Sequence, residues 1–180
     1  MRKIIAGLFI SLDGVVEAPE TWHFPYFNEE MGKAVSSQMA EADTVLLGRT
    51  TYDVFAAHWP HQTGELADLL NNIPKYVVST TLQSADWKNT TVIGDDVAAR
   101  ITELKQLPGE NIAMTGSGTL IRFLLAHGLL DELRLLVHPI VLGAGERLFP
   151  EGTARHGLKL IRSETFTTGV LNTIYGPADQ

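Results

Sequence analysis

A short turn after an apolar run carries residue types suited to binding a phosphate group. Residues 45–47 are apolar, and Gly48, Arg49, Thr50 and Thr51 follow them directly. Backbone N–H groups at the start of a helix point outward, and the helix dipole favours an anion there. A guanidinium fork and two hydroxyl groups add donors for phosphate oxygens. Taken alone, this first turn is explained at least as well by a plain connection with a threonine cap.

A second turn has the same form. The apolar residues 112–114 lead into Thr115, Gly116, Ser117, Gly118 and Thr119. Glycines let a phosphate approach the backbone closely, although a tight connection without a ligand is the alternative. Ile121 stands where the dinucleotide fingerprint needs its third glycine, which excludes that motif. Thr115 stands where a hydrolase nucleophile elbow needs its first glycine, which excludes that motif as well.

A third polar strand end joins these two turns. Ser79, Thr80 and Thr81 follow the predicted strand that begins at Lys75. Ligands of open α/β sheets bind at the carboxyl ends of the strands, where all three segments are expected to lie. Three polar strand ends, one of them with an arginine, suit a ligand that carries several phosphates.

Composition limits the classes of function. The chain has 180 residues, which suits a single domain over 1–180, and its net charge is −7. An acidic chain argues against broad nucleic-acid binding, so an anionic ligand must be held by local donors. The absence of cysteine excludes disulfides and zinc–thiolate sites and fits a cytoplasmic protein. His58 and His61 flank Pro60, which argues against a helical metal pair, and we predict no metal site. The apolar start of the chain is too short to span a membrane.

Strand and helix patterns alternate along the chain. Apolar runs predict strands at 3–11, 44–47, 75–80, 90–93, 111–115 and 132–141. Helical spacing predicts helices at 28–40, 50–57, 65–72, 95–106 and 118–127, with Asn28 capping the first and Asp95 or Asp96 capping the fourth. Two extended runs, 158–166 and 170–175, flank Gly169 and predict a β-hairpin. We therefore expect an α/β fold with a mostly parallel sheet, helices on both faces and an antiparallel hairpin at one edge.

The order of these pieces resembles the dihydrofolate-reductase superfamily. The nearest resemblance is to stand-alone proteins similar to the reductase domain of riboflavin biosynthesis, the RibD C-terminal-like proteins. It rests on the segments 11–14, 48–51, 77–80, 116–120, 131–133 and 138–145. The resemblance implies a three-layer dihydrofolate-reductase-like sandwich, NADPH as the cofactor, a small-molecule substrate and a homodimer.

The resemblance also assigns roles to particular residues. Cofactor phosphates would meet Gly48, Arg49, Thr50 and Thr51, with Ser79 and Thr80 near the adenosine 2′-phosphate. The pyrophosphate would lie on Gly116, Ser117, Gly118, Thr119 and Leu120. The loop from Asp13 through Val16 would border the nicotinamide, Trp22 would lie near the substrate, and Phe27 and Met31 would line its pocket.

Hydride transfer also needs a proton source, either an acid or an ordered water. Asp13 is the first candidate, with Glu17 and Glu30 behind it, although Asp-Gly is also a common turn pair. Dihydrofolate reductases carry a substrate-binding acid on the first helix, and neither Glu29 nor Glu30 falls clearly in that register. Trp22 could equally be plain packing.

Substrate identity is less well indicated than cofactor use. Riboflavin-type reductases tend to have Glu-Gly-Gly at the second turn, where this chain has Thr115, Gly116 and Ser117. The leading hypothesis is an NADPH-dependent reductase of a pterin- or aminopyrimidine-like compound in riboflavin or folate metabolism. The alternatives are a non-catalytic dinucleotide-binding regulatory module and a redox-inactive structural dimer.

Overall fold

A computed structural model describes residues 1–178, which form an eight-stranded sheet with helices on its faces. The strands are β1 Ile4–Ser11, β2 Ala42–Gly48, β3 Lys75–Val78, β4 Thr90–Ile93, β5 Asn111–Thr115, β6 Glu132–His138, β7 Leu158–Thr165 and β8 Leu171–Pro177. The α-helices are α1 Glu29–Ala40, α2 Arg49–His58, α3 Glu65–Asn72, α4 Val97–Gln106 and α5 Gly118–Ala126. Short 3-10 turns lie at Pro19–Thr21, Phe24–Tyr26 and Trp59–His61.

The strands run in the order β4-β3-β2-β5-β1-β6-β8-β7. The six strands from β4 to β6 are parallel, and β8 is antiparallel to both β6 and β7. The predicted mostly parallel α/β sheet with a C-terminal antiparallel hairpin is therefore confirmed. The carboxyl ends of β1, β2, β3, β5 and β6 share one edge of the sheet.

Apolar residues on both faces explain why the central strands read as continuous apolar runs. One face packs Ile4, Ile112 and Ile121 into the largest core cluster. The opposite face carries a second cluster around Leu47 and Val77. Helices cover both faces, so the middle of the sheet is the rigid base on which the strand ends are held.

Two predicted boundaries are wrong, each for a local reason. The strand predicted to reach residue 141 ends at His138, because Pro139 has no N–H for the ladder and the chain turns away as a loop. The apolar pattern continues into this loop, where Val141 is 67% exposed. The acidic cap predicted for α4 is also wrong, since Asp96 is left-handed and makes no side-chain capping bond. Asn28 does cap α1, accepting a bond from Met31 N at 3.0 Å.

Candidate functional site

The two phosphate-type turns are in direct contact, although 69 residues separate the bonded groups in sequence. The Ser117 hydroxyl accepts a hydrogen bond from Gly48 N at 2.8 Å. The same hydroxyl lies 3.0 Å from Thr51 Oγ1. The first turn (residues 48–51) and the second turn (residues 115–120) thus form one surface at the carboxyl edge of β2 and β5.

This contact depends on the glycines. A Cβ on Gly48 would lie 2.5 Å from Ser117 Oγ, and one on Gly116 would lie 2.6 Å from Thr51 Oγ1. Gly116 also has a φ of +64°, which glycine adopts without strain. Ser117 has a φ of 58°, in the left-handed region that is unfavourable for a residue with a Cβ. The two glycines therefore make room for the Ser117 and Thr51 side chains, which fill the space between the turns.

Both turns lead into helices whose first N–H groups face the shared edge. In the described chain, neither Gly48 before α2 nor Ser117 before α5 forms a side-chain capping bond. The first-turn amides of both helices are thus left for a ligand or water. Thr50 and Thr119 lie in the first turns of these helices and are exposed, so their hydroxyls are available at the surface beside these amides. The Leu120 side chain is buried in the core, which leaves its main chain to face the edge.

Arg49 connects the first turn to the end of β3. Its Nε donates to both carboxylate oxygens of Asp53 at 2.9 Å, and its Nη1 lies 3.4 Å from Thr81 Oγ1. The Ser79 hydroxyl is buried and accepts bonds from the main-chain N–H groups of Thr81 and Leu82. It therefore shapes the strand end, while Thr80 is exposed there. Sequence reasoning missed Asp53 as a partner of Arg49, although the i,i+4 spacing on a helix could have revealed it.

Asp13 links the loop that follows β1 to the loop that follows β6 through hydrogen bonds. Its carboxylate accepts bonds from Ser11 Oγ at 2.6 Å, Leu142 N at 3.1 Å and Gly143 N at 2.8 Å. These bonds, the one from Ser11 foremost, lower the pKa of Asp13 to about 2. An ionised carboxylate with occupied oxygens does not suit the predicted role of proton donor. Val16 takes part in the same contact between the two loops, since its N–H donates to Glu146 O at 2.9 Å.

The two reserve acids have structural partners as well. Glu17 Oε2 accepts a bond from Glu146 N at 2.9 Å. Glu30 Oε2 accepts bonds from Thr167 N at 2.9 Å, Thr167 Oγ1 at 2.7 Å and Asn28 Nδ2 at 2.6 Å. The bonds from Thr167 hold the pKa of Glu30 below its usual value. Glu30 therefore ties α1 to the turn between β7 and β8, and it also lines the cavity beneath α1.

The remaining predicted substrate residues do not converge. Trp22 is buried, donates from Nε1 to Glu17 O at 3.0 Å, and packs edge-on against His138. Met31 is fully buried in a core cluster with Leu136 and is not among the residues that line the cavity beneath α1. Phe27 is 53% exposed and does not line the cavity under α1 described below.

A buried pair of histidines, His23 and His138, lies behind this edge. His138 is fully buried, and its Nδ1 lies 2.8 Å from Leu136 O. The rings of Phe9, Trp22 and Tyr26 surround it edge-on, with centroids 5.1–5.7 Å away. Burial lowers the pKa of His138, and burial together with His138 lowers that of His23.

A cavity of about 960 Å³ lies between α1 and the sheet. The helix buries Met31, and its other residues are partly or fully exposed, so α1 stands off the sheet. We call this space the α1 cavity. The residues that line it include Gly7, Phe9, Gln38, Phe55, Trp59, Thr115 and Leu136. Thr115 directly precedes Gly116, so the α1 cavity adjoins the second turn. Sequence reasoning missed it, although a glycine inside a buried strand often marks a close approach.

Two kinds of site are absent from the part of the chain that the structure describes. Within residues 1–178, no three His, Asp or Glu side chains are grouped so that they could hold a metal ion. Every described helix also falls short of the length and apolarity that a membrane-crossing helix needs.

Known proteins resemble this chain over almost all of its length. Two Bacillus subtilis (strain 168) proteins match it: the uncharacterized protein YyaP, 32% identical over 97% of this chain and 94% of its own, and the uncharacterized protein YwjB, 30% identical over 94% and 95%. A putative riboflavin biosynthesis protein from Shewanella sp. PV-4 has the same fold, with 23% identity, a TM-score of 0.77 and coverage of 98% of this chain and 99% of its own. A pyrimidine reductase-like protein from Corynebacterium diphtheriae has 13% identity, a TM-score of 0.71 and coverage of 99% and 93%. The family model of the RibD C-terminal domain matches residues 2–172, and the chain therefore belongs to the RibD C-terminal domain family.

Proposed function

We propose that this protein is an NADPH-dependent reductase that transfers a hydride to a small heterocyclic compound, pterin- or aminopyrimidine-like. The observation that carries the proposal is the contact of the two glycine turns through Ser117, Gly48 and Thr51 at the carboxyl edge of the sheet. Membership of the RibD C-terminal domain family supports a reductase. The structural neighbours, a putative riboflavin biosynthesis protein and a pyrimidine reductase-like protein, support riboflavin metabolism as its setting, and folate metabolism is the alternative.

The residues present fit a dinucleotide. Two adjacent helix N-termini without side-chain caps, with the Thr51 and Ser117 hydroxyls between them, suit a pyrophosphate. Arg49 at the β3 end suits the adenosine 2′-phosphate, because a guanidinium fork matches phosphate oxygens. When bound, NADPH supplies the hydride, and the protein supplies position and a dry environment.

The chain's own residues then position the substrate and exclude water. The loop around Asp13 and Val16 is fixed by bonds to residues 142–146, so it forms a rigid border at the end of β1. Phe9 and Leu136 give the α1 cavity an apolar base. Because Asp13 is ionised and its oxygens are occupied, we propose that an ordered water delivers the proton.

We also propose a homodimer. Strand β7 lies at the open edge of the sheet, and seven of its eight residues are exposed, including Leu160 and Ile161. An edge strand with exposed apolar residues is a template for pairing with another chain. Light scattering should give the mass of two chains, and a monomer alone at micromolar concentration would refute this part of the proposal.

Steady-state oxidation of NADPH with a panel of pterins, aminopyrimidines and quinones tests the activity. We expect saturable consumption with at least one heterocycle, and slower consumption of NADH. Binding of NADPH without turnover of any compound would instead support a regulatory module on the same fold. No thermal stabilisation by either dinucleotide would leave a redox-inactive structural role and overturn the proposal.

A further inference from the structure

Gln38 ties α1 to the sheet in a way that fixes the orientation of its amide. Its Nε2 donates to Ile5 O at 3.3 Å and to Met114 O at 3.1 Å. These carbonyls belong to β1 and β5, which are neighbours in the sheet. An amide nitrogen has two hydrogens, and both have an acceptor here. The oxygen and nitrogen of the amide therefore cannot exchange places without losing both bonds.

The amide lies against Gly7, where the strand has no side chain. A Cβ on Gly7 would lie 2.0 Å from Gln38 Oε1 and 2.8 Å from Gln38 Nε2. Within residues 1–178, Oε1 accepts no hydrogen bond. Gly7 is in register with Thr115 of β5, whose hydroxyl also has no hydrogen-bond partner among the described residues. Gln38 and Thr115 both line the α1 cavity, and the Gln38 amide lies over position 7 of β1, which is in register with Thr115 of β5.

The surroundings of this pair suit a flat ring. Phe55 and Trp59 line the α1 cavity and contact each other edge-to-face, with ring centroids 6.2 Å apart. The charged residues on or directly after α1 that line the cavity already have partners: Glu30 bonds to Thr167, Lys33 pairs with Glu29, and Glu41 pairs with Arg134. A polar group that is partly withdrawn from water and left unpaired costs free energy, so a ligand that supplies its partner gains affinity.

We propose that Gln38 is a specificity-determining residue, whose Oε1 accepts a hydrogen bond from a ring N–H of the substrate while the Thr115 hydroxyl contacts a neighbouring polar ring substituent. The proposal rests on the proposed reductase function and narrows its substrate to rings with an unsubstituted N–H beside a carbonyl or amino group.

Calorimetric binding of 5,6-diaminouracil and of its two ring N-methyl derivatives, without NADPH, tests the role of Gln38. We expect the wild-type protein to bind one methyl derivative at least roughly tenfold more weakly than the parent ring. Gln38→Met keeps the length of the side chain and removes its amide. It should bind the parent roughly threefold to tenfold more weakly and lose the discrimination. Ser36→Ala, an exposed change on the same helix, should behave like the wild type.

A second pair of variants separates recognition from folding. Gly7→Ala should lose the same discrimination, because its Cβ would displace the amide. In a Gln38→Ala background the same Cβ meets no amide, so the double variant should unfold at a higher temperature than Gly7→Ala alone.

Two results would overturn this inference: unchanged discrimination in Gln38→Met, or no binding of any of the three rings by the wild-type protein. NADPH binding measured on the same samples keeps the two proposals distinguishable. If NADPH binds normally, the failure belongs to the role of Gln38 alone. If the wild-type protein does not bind NADPH, the proposed function itself fails.

Discussion

Replacing Arg49 by alanine should weaken the binding of NADPH far more than the binding of NADH. The two dinucleotides differ by the 2′-phosphate, and Arg49 stands between the first turn and the polar end of β3. A hydrogen bond to a charged group contributes about 1.5–3 kcal/mol, which corresponds to a factor of roughly 10 to 150 in affinity.

The structure favours the lower end of that range. The Arg49 side chain is 41% exposed, so solvent and salt screen its charge. Asp53 also occupies its Nε with both carboxylate oxygens, and a phosphate must use the remaining donors. We therefore expect Arg49→Ala to lower the affinity for NADPH by roughly tenfold and the affinity for NADH by less than about threefold.

Fluorescence titration of both dinucleotides at one fixed salt concentration measures this difference. Arg49→Lys is the matched control, since it keeps the charge without the planar fork and should lie between alanine and the wild type. Equal losses for NADPH and NADH would refute the assignment to the 2′-phosphate, and no loss for either would remove Arg49 from the site.

Three further predictions concern the groups that hold the edge together. Ser117→Ala keeps the left-handed backbone and loses both hydroxyl contacts, so urea unfolding should show a loss of about 1–3 kcal/mol, and an unchanged stability would contradict the contact with Gly48. Ser117→Gly also relieves the backbone and should lose about 1 kcal/mol less, and the opposite order would contradict the left-handed conformation of Ser117. The folded pKa values of His23 and His138 are lowered, so the unfolded chain binds more protons than the folded one below pH 6.5. The free energy of unfolding should therefore fall as the pH drops below that value. His138→Phe should make this pH dependence flatter, as measured by urea unfolding between pH 7 and 5. Asp13→Asn should speed hydrogen exchange in residues 12–17 and lower kcat without removing an ionisation from the pH–rate profile, whereas a lost ionisation would restore Asp13 as the proton donor.

Local patterns predicted the elements well, because short-range physics determines them. The predicted bounds of α3, β4 and β5 match the structure, and Asn28 caps α1 as its type and position suggested. The strand end at β6 was mispredicted because the apolar pattern runs on into an exposed loop around Val141. Apolar residues are buried only on average, so an exposed loop that contains apolar residues is mispredicted as part of a buried strand.

Long-range contacts explain what the sequence did not predict about the site. Besides their neighbours Ser11 and Asn28, Asp13 and Glu30 have partners that lie 129–137 residues away, and no local pattern identifies these distant partners. Both carboxylates suited acid chemistry by type, and tertiary contacts gave them structural bonds instead. Gln38 drew no attention in a helix of mixed polarity, because its significance depends on Gly7 beneath it. The meeting of the two turns was predicted only as far as a shared sheet edge.

Amide NMR during titration with NADPH tests the central claim most directly, because it locates the ligand on the fold without requiring turnover. We predict saturable shifts at micromolar NADPH, concentrated in residues 48–51 and 116–120, with Arg49 and its neighbours responding more weakly to NADH. Shifts confined to other parts of the chain, or none at millimolar NADPH, would contradict a dinucleotide site at these two turns.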